Sequence, residues 1–194
     1  MDNATRSERT RAAVIQAALA IIARDGAGKL TLDAIARESG ISKGGVMHQF
    51  RTKQAVLEAL LDHQIAHSDE RARVHLAKAD PASGEANLQA QIAVLREVAT
   101  DPTSVAFALV SAFAEDPGLL GMVRKAGEPK LQQLKDEARD QDLALLRFVA
   151  ARGLAIPALM GMCSLTPEER EHLFDLLQDT ARWRGCKALA SKPS

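Results

Sequence analysis

Three groups of residues in this 194-residue chain carry chemistry by type and spacing. The first is a run of polar and small groups, Lys43, Gly44, Gly45, Met47, His48 and Gln49. They lie opposite Val46 and Phe50, which sit four apart and so share one face of a short helix. A lysine there can reach a phosphate or the O6/N7 edge of guanine, and a glutamine can pair with adenine N6/N7, so the outward face suits a DNA groove. Adjacent glycines each cost a helix about 1 kcal/mol relative to alanine, which makes sense where a DNA backbone must come close. The second group is Thr31, Ser42 and Thr52, hydroxyls placed to cap the helical segments that follow them. The third is His63 and His67, four apart on one helical face and able to share a metal ion. Two ligands are fewer than a metal site needs, and a solvated helix surface uses the same residues. There is no phosphate-binding glycine loop, no HExxH and no serine in a nucleophile-elbow context. No catalytic residue is therefore assigned, and neither an enzyme nor a cofactor is expected.

The elements that must position the first group are legible. A segment from Leu32 to Ser39 turns Ile35 and Ala36 inward and stops at Gly40, which adopts the left-handed conformation at little cost. Ile41 plugs the turn and Ser42 opens the next helix, which together spell a helix-turn-helix. Upstream, Val14, Ala18, Leu19 and Ile22 have helical spacing and predict a first helix from Ser7 to Asp25, ended by Gly26. Downstream, Thr52 caps a fourth helix with Val56, Leu57, Leu60, Leu61 and Ile65 on its apolar face, running to about Lys78. Breaks are expected at 80–84, Asp101-Pro102, Asp116-Pro117-Gly118 and Glu128-Pro129, with helices near 85–99, 103–115 and 128–152. Thr166-Pro167-Glu168-Glu169 combines a capping threonine, a first-turn proline and a glutamate three residues after the cap, and predicts a last helix ending near 183–185. Strand signals are nearly absent, so the fold class is all-α.

The run TLDAIARESGISKGGVMHQFRTKQAVLEAL resembles the N-terminal DNA-binding domain of the TetR/AcrR family of bacterial repressors, with the likeness covering residues 9 to 61. The resemblance implies a three-helix head over residues 1–55, a connecting helix from about residue 52, and a helical effector-binding and dimerisation body over 56–194. It makes Thr31 and Lys53 similar to the family's phosphate clamps, where side chain, exposed amides and helix dipole all favour an anion. The expected DNA contacts are Thr31, Ser42, Lys43, Gly44, Gly45, Met47, His48, Gln49 and Lys53. Met47 departs from the tyrosine that family members usually place there for a backbone phosphate.

The resemblance further implies a homodimer on a palindromic operator, because a short recognition helix covers few base pairs. The last two helices, roughly 145–162 and 166–183, are expected to pair as a four-helix bundle through Leu159, Met162, Leu173, Leu176 and Leu177. The same residues would serve a monomer's own core. An effector pocket is expected among Gln91, Leu95, Arg96, Phe107, Val110, Phe113, Met122, Phe148 and Met160, suited to a hydrophobic small molecule; an ordinary core is the competing reading. Repression relieved by ligand is the expected mode, and an activator would use the same parts.

Composition agrees with these expectations. Residues 1–55 hold nine Lys/Arg against five Asp/Glu, a charge of +4 that the remaining residues offset to zero overall, as suits one end meeting a polyanion. Cys163 and Cys186 have no short spacing, so neither a disulfide framework nor a cysteine zinc site is implied. The charged start has no apolar signal stretch and no uncharged run reaches the roughly 20 residues of a membrane span. A cytosolic protein that binds the nucleoid when active is expected.

Overall fold

The computed structural model describes residues 3–80, 83–100, 110, 112–113 and 116–184. Its helices in chain order are α1 (Asn3–Asp25), α2 (Leu32–Ser39), α3 (Lys43–Gln49), α4 (Lys53–Leu76), α5 (Ala86–Thr100), α6 (Leu119–Glu137), α7 (Gln141–Leu159), α8 (Pro167–Gln178) and α9 (Thr180–Arg184), with a 3-10 turn at Ala27–Lys29. No strand occurs among the described residues. Packing divides the chain into two units. One takes residues up to 66 with those of 103–124, the other 67–102 with 125 onward. The division interleaves, with α4 and α6 each contributing to both units, where the sequence suggests a single cut after residue 55.

The first unit is built on the buried stripe of α1, in which Val14 and Ala18 are fully buried and Ile22 nearly so. Against it pack Ile35 from α2, Val46 from α3, Phe50, and Val56, Leu57 and Leu60 from α4, joined by Ala112 and Leu119. Each such aliphatic side chain contributes about 1.5–3 kcal/mol on burial. The helix begins earlier than expected, at Asn3 rather than Ser7, while its buried stripe begins at Val14.

The second unit packs α5, α7 and α8 around Leu88, Ile92, Leu134, Ala144, Ala151, Ala155, Phe174 and Leu177. Alanines on α7 let α5 approach closely. One charge enters this core: Arg147 is 1% exposed. Its Nε and Nη2 donate to the Leu177 carbonyl at 2.9 and 2.7 Å, and its Nη1 donates to Glu85 at 2.9 Å. The guanidinium also stacks on Trp183 at 5.6 Å. Leu177 is the penultimate residue of α8, where a carbonyl has no intrahelical amide to accept from, so Arg147 supplies a C-terminal cap from a neighbouring helix.

Two boundaries differ from the sequence expectation. The helix expected over 128–152 is two helices, because Asp140 accepts a hydrogen bond from the Leu143 amide at 3.0 Å and starts α7 afresh. Pro129 lies inside α6 instead of opening a helix. An interior proline costs roughly 3 kcal/mol, and the buried anchors Leu119 and Leu134 on either side of it hold the helix together across that cost. Of the helix expected over 103–115, most lies outside the described residues.

Replacing Arg147 with methionine keeps its bulk but strands the Leu177 carbonyl and part of the Glu85 carboxylate. Stability to urea is expected to fall by about 3 kcal/mol. The chain's single tryptophan, Trp183, reports the loss through its fluorescence. An unchanged urea midpoint would show that the clamp is not needed.

Candidate nucleic-acid interface

The turn between α2 and α3 is assembled as its residue types dictate. Thr31 Oγ1 accepts from the Ala34 amide at 3.0 Å and caps α2. Gly40 takes φ 67°, the left-handed value that ends the helix. Ser42 Oγ then accepts from the Gly45 amide at 3.2 Å and caps α3. Thr52 does the same for α4, accepting from Ala55 at 3.1 Å. Val46 and Phe50 face the core, which leaves Lys43, Gly44, Met47 and His48 exposed along the other side of α3. Lys53, half-buried, opens α4.

Two of the candidate contact residues are held by other parts of this unit. Lys43 Nζ lies 2.9 Å from Asp33, with both side chains more than half exposed. A pair so exposed is worth at most about 1 kcal/mol, so a phosphate can displace Asp33 easily. Gln49 donates from Nε2 to Ser7 Oγ at 3.0 Å and is half-buried. Its amide is thus committed to α1, and His48 is the freer polar group on the helix. Sequence reasoning missed this link because Ser7 is 42 residues away.

The two glycines have different reasons to be there. A Cβ on Gly44 would meet nothing within 4 Å. A Cβ on Gly45 would stand 2.8 Å from Ile41 Cγ2 and 3.3 Å from Ser42 Oγ. Gly45 is therefore required by the packing of the turn itself, whereas Gly44 leaves open space at the surface.

The expected effector residues are divided between the units. Phe113 and Met122 pack on the first unit's core and Val110 belongs to that unit, while Leu95 and Phe148 pack on the core of the second. Arg96 is tied to Glu171 and, at 2.8 Å, to Asp175 of α8. Met160 ends α7, and Phe107 lies outside the described residues. Gln91 lines an open cleft of about 440 Å³ within the second unit. Its walls combine Ala72, Leu76, Ala90, Ala126 and Pro129 with Asp69, Arg73, Asn87, Lys130 and Gln133. Lys130 pairs with Asp69 across it. The α4 side of the cleft is held to α5 by Glu97, which meets Arg71 and His75. Burial pushes the Glu97 carboxyl up, but hydrogen bonds from His75 and Arg71 outweigh it and hold the group below its ordinary range.

Of the expected dimer residues, Leu177 is buried in its own core, Leu159, Leu173 and Leu176 are half-buried, and Met162 is 62% exposed. Three residues that the sequence reading passed over stand out beside Met162: Leu146, Val149 and Ile156 are 56%, 62% and 45% exposed on the outer side of α7. Their spacing of three and seven, opposite the inward Ala144, Ala151 and Ala155, is the signal that could have found them.

His63 and His67 are exposed on α4, and no three His, Cys, Asp or Glu groups converge as a metal site among the described residues. The metal-responsive alternative is corrected on that ground: the pair lacks further ligands.

A capped α2, a left-handed glycine and a short outward-facing α3 on a helical body define a helix-turn-helix regulator. The chain belongs to the TetR family. Residues 14–60 match the family described as bacterial regulatory proteins, tetR family, and residues 85–182 match the tetracyclin repressor-like C-terminal domain. Over 58 residues it is 41% identical to the HTH-type transcriptional regulator SrpR of Pseudomonas putida, covering 30% of this chain and 27% of that protein. Over 83 residues it is 34% identical to the regulator BetI of Serratia proteamaculans, covering 43% and 42%. These matches thus span less than half of either relative. The fold is shared with a solved transcriptional regulator from Saccharomonospora viridis in complex with choline, at TM-score 0.68 and 19% identity, over 89% of this chain and 97% of that one.

The glycine geometry makes a paired prediction. Gly44→Ala is expected to raise stability by roughly 0.5–1 kcal/mol while weakening binding to duplex DNA. Gly45→Ala is expected to lower the melting temperature, because Ile41 must move. Thermal unfolding beside a DNA titration of each variant checks this; a Gly44→Ala protein that binds normally removes the close backbone approach.

Proposed function

We propose that this protein is a ligand-responsive, sequence-specific transcriptional regulator, most simply a repressor released from a palindromic operator by a small molecule. Residues 1–55 serve as the DNA-binding head, the helix from about residue 52 as the connector, and 56–194 as the effector-binding and dimerisation body. The observation that carries the reading is the outer face of α3, where Lys43, Gly44, Met47 and His48 stand exposed on a helix fixed by capping at Ser42 and by the buried Val46 and Phe50. Thr31, Ser42 and Lys53 flank that face at helix starts, as phosphate clamps do. Met47 supplies no polar group where a tyrosine would reach a phosphate.

Operator reading needs two such helices about 34 Å apart or a multiple of it, hence a homodimer. Leu146, Val149 and Ile156, with Met162 just beyond the helix end, support the outer side of α7 as the face that meets the second copy. Apolar groups that large and that exposed on one helix side are ordinarily covered. Leu159, Leu173 and Leu176 flank them. For the effector, the cleft beside Gln91 favours an organic molecule with an apolar body and one polar or ionic group. Choline, bound by the Saccharomonospora viridis relative, belongs in the first ligand screen. The protein is read as cytosolic and nucleoid-bound when active; no helix among the described residues is long and apolar enough to cross a membrane.

Titration against the DNA upstream of its own gene, with excess unrelated duplex as competitor, tests the reading. Saturable, competitor-resistant binding is expected. Lys43→Ala is expected to weaken it at least tenfold with a melting temperature within a degree or two of the parent. Val149→Glu is expected to convert a dimer to a helical monomer in sedimentation and to weaken operator binding strongly. A Val149→Glu protein that still sediments as a dimer would place the interface elsewhere.

A further inference from the structure

We propose that Arg6, Arg11 and Arg51 form a second phosphate-binding cluster, which grips the DNA backbone beside the groove that α3 enters. The inference rests on the DNA-binding reading and adds contacts from outside the helix-turn-helix.

Three observations bring these residues to one place. Gln49, at the end of α3, hydrogen-bonds Ser7, so the second turn of α1 lies against the C-terminal end of the recognition helix. One turn further along α1, the Arg11 guanidinium sits 4.5 Å from the centre of the Phe50 ring. That ring is 3% exposed, so the arginine lies at the edge of the core with its charge in solvent. Arg51 follows Phe50 directly and is exposed, as is Arg6 beside Ser7.

The charges in this place are unbalanced. Arg24 is neutralised by Asp25 and Glu38, and Lys43 by Asp33. Arg6, Arg11 and Arg51 have no carboxylate within ion-pair distance among the described residues. Glu8 is the nearest acid, exposed and three residues before Arg11 on the same side of α1, yet it forms no ion pair with any of the three. Unpaired guanidiniums around one helix end repel each other, and a polyanion removes that cost. Guanidinium is also the side chain whose planar donors match phosphate oxygens. The stacking of Arg11 on Phe50 holds one of the three in place before DNA arrives.

The test uses a labelled 30-base-pair duplex of random sequence, since phosphate contacts act without regard to sequence. Binding is measured by fluorescence polarisation from 50 to 200 mM NaCl. Each phosphate contact contributes about 0.9 to the slope of log affinity against log salt. Counting both protomers of the dimer, the double variant Arg6→Gln/Arg51→Gln removes four contacts and is expected to lose about 3.6 from that slope, and Arg11→Gln, which removes two, about 1.8. A charge-matched control, Lys29→Gln/Arg37→Gln, alters the groove at the other end of α1 and is expected to leave the slope intact. Melting curves confirm that each variant is folded. Parental binding with an unchanged slope in the arginine variants overturns the cluster, as does an equal loss in the control, which would reduce the effect to net charge. Failure of the parent protein to bind any duplex, at a salt where binding should be tight, overturns the DNA-binding reading itself.

Discussion

A helix of seven residues has no stability of its own in water, because its few hydrogen bonds do not offset the cost of nucleation. Everything about the head follows from the need to hold α3 in place regardless. Ser42 supplies the cap, Gly40 the sharp exit from α2, and Ile41 the plug that makes Gly45 obligatory. Val46 and Phe50 anchor the inner side among residues of α1, α2 and α4. Gln49 is then fixed to Ser7 at the far end. The inner contacts leave the outer face free of structural duty, and this freedom lets the face be specified by a DNA partner instead.

Local signals made the head readable from sequence. Caps, a left-handed glycine and an i,i+4 apolar pair act over a handful of residues, and the bounds of α2 and α3 follow from them. Signals that depend on distant partners were not readable. Ser7 and Gln49 form no pattern along the chain, and neither do Arg147 and the Leu177 carbonyl it caps, 30 residues apart. Arg147 lies in an otherwise apolar run, where its burial depends on Glu85 and Trp183. Pro129 misled in the usual direction: a proline breaks a helix unless tertiary anchors hold both sides, and Leu134 and Leu119 do so here.

The body residues were harder to assign because α7 is apolar nearly all round. A helix of that kind is expected to be covered on every side. Its inner side is covered by α5 and α8 through small alanines, while Leu146, Val149 and Ile156 remain exposed on the outer side. The resemblance led to Leu159 and Met162 together with Leu173, Leu176 and Leu177 of α8. Yet Leu177 is drawn into the monomer by its place beside Phe174 in the core. Hydropathy alone does not separate two apolar faces; which of them meets alanines does.

The regulation proposed above would place different mechanical demands on α4 and α6, two of the three helices that border the cleft. α4 runs 24 residues without glycine or proline, and helices bend sharply almost only at such residues, at bulges or at inserted groups. Asp69, Ala72, Arg73 and Leu76 near its end line the cleft, while Val56, Leu57 and Leu60 near its start belong to the head's core. α6 carries Pro129 at the cleft, so the Lys125 carbonyl lacks its usual partner and the helix has a natural point of flexure. A ligand that wedges the cleft open meets a stiff wall and a compliant one. For it to act on DNA binding, the stiff wall must be the one whose displacement differs between the bound and released states. Moving a population from 99:1 to 1:99 takes about 5.5 kcal/mol of differential affinity. The effector proposed for this cleft must therefore prefer one position of α4 by that margin, and the partly exposed Lys130 and Asp69 pair, worth at most about 1 kcal/mol, supplies only a small part of it.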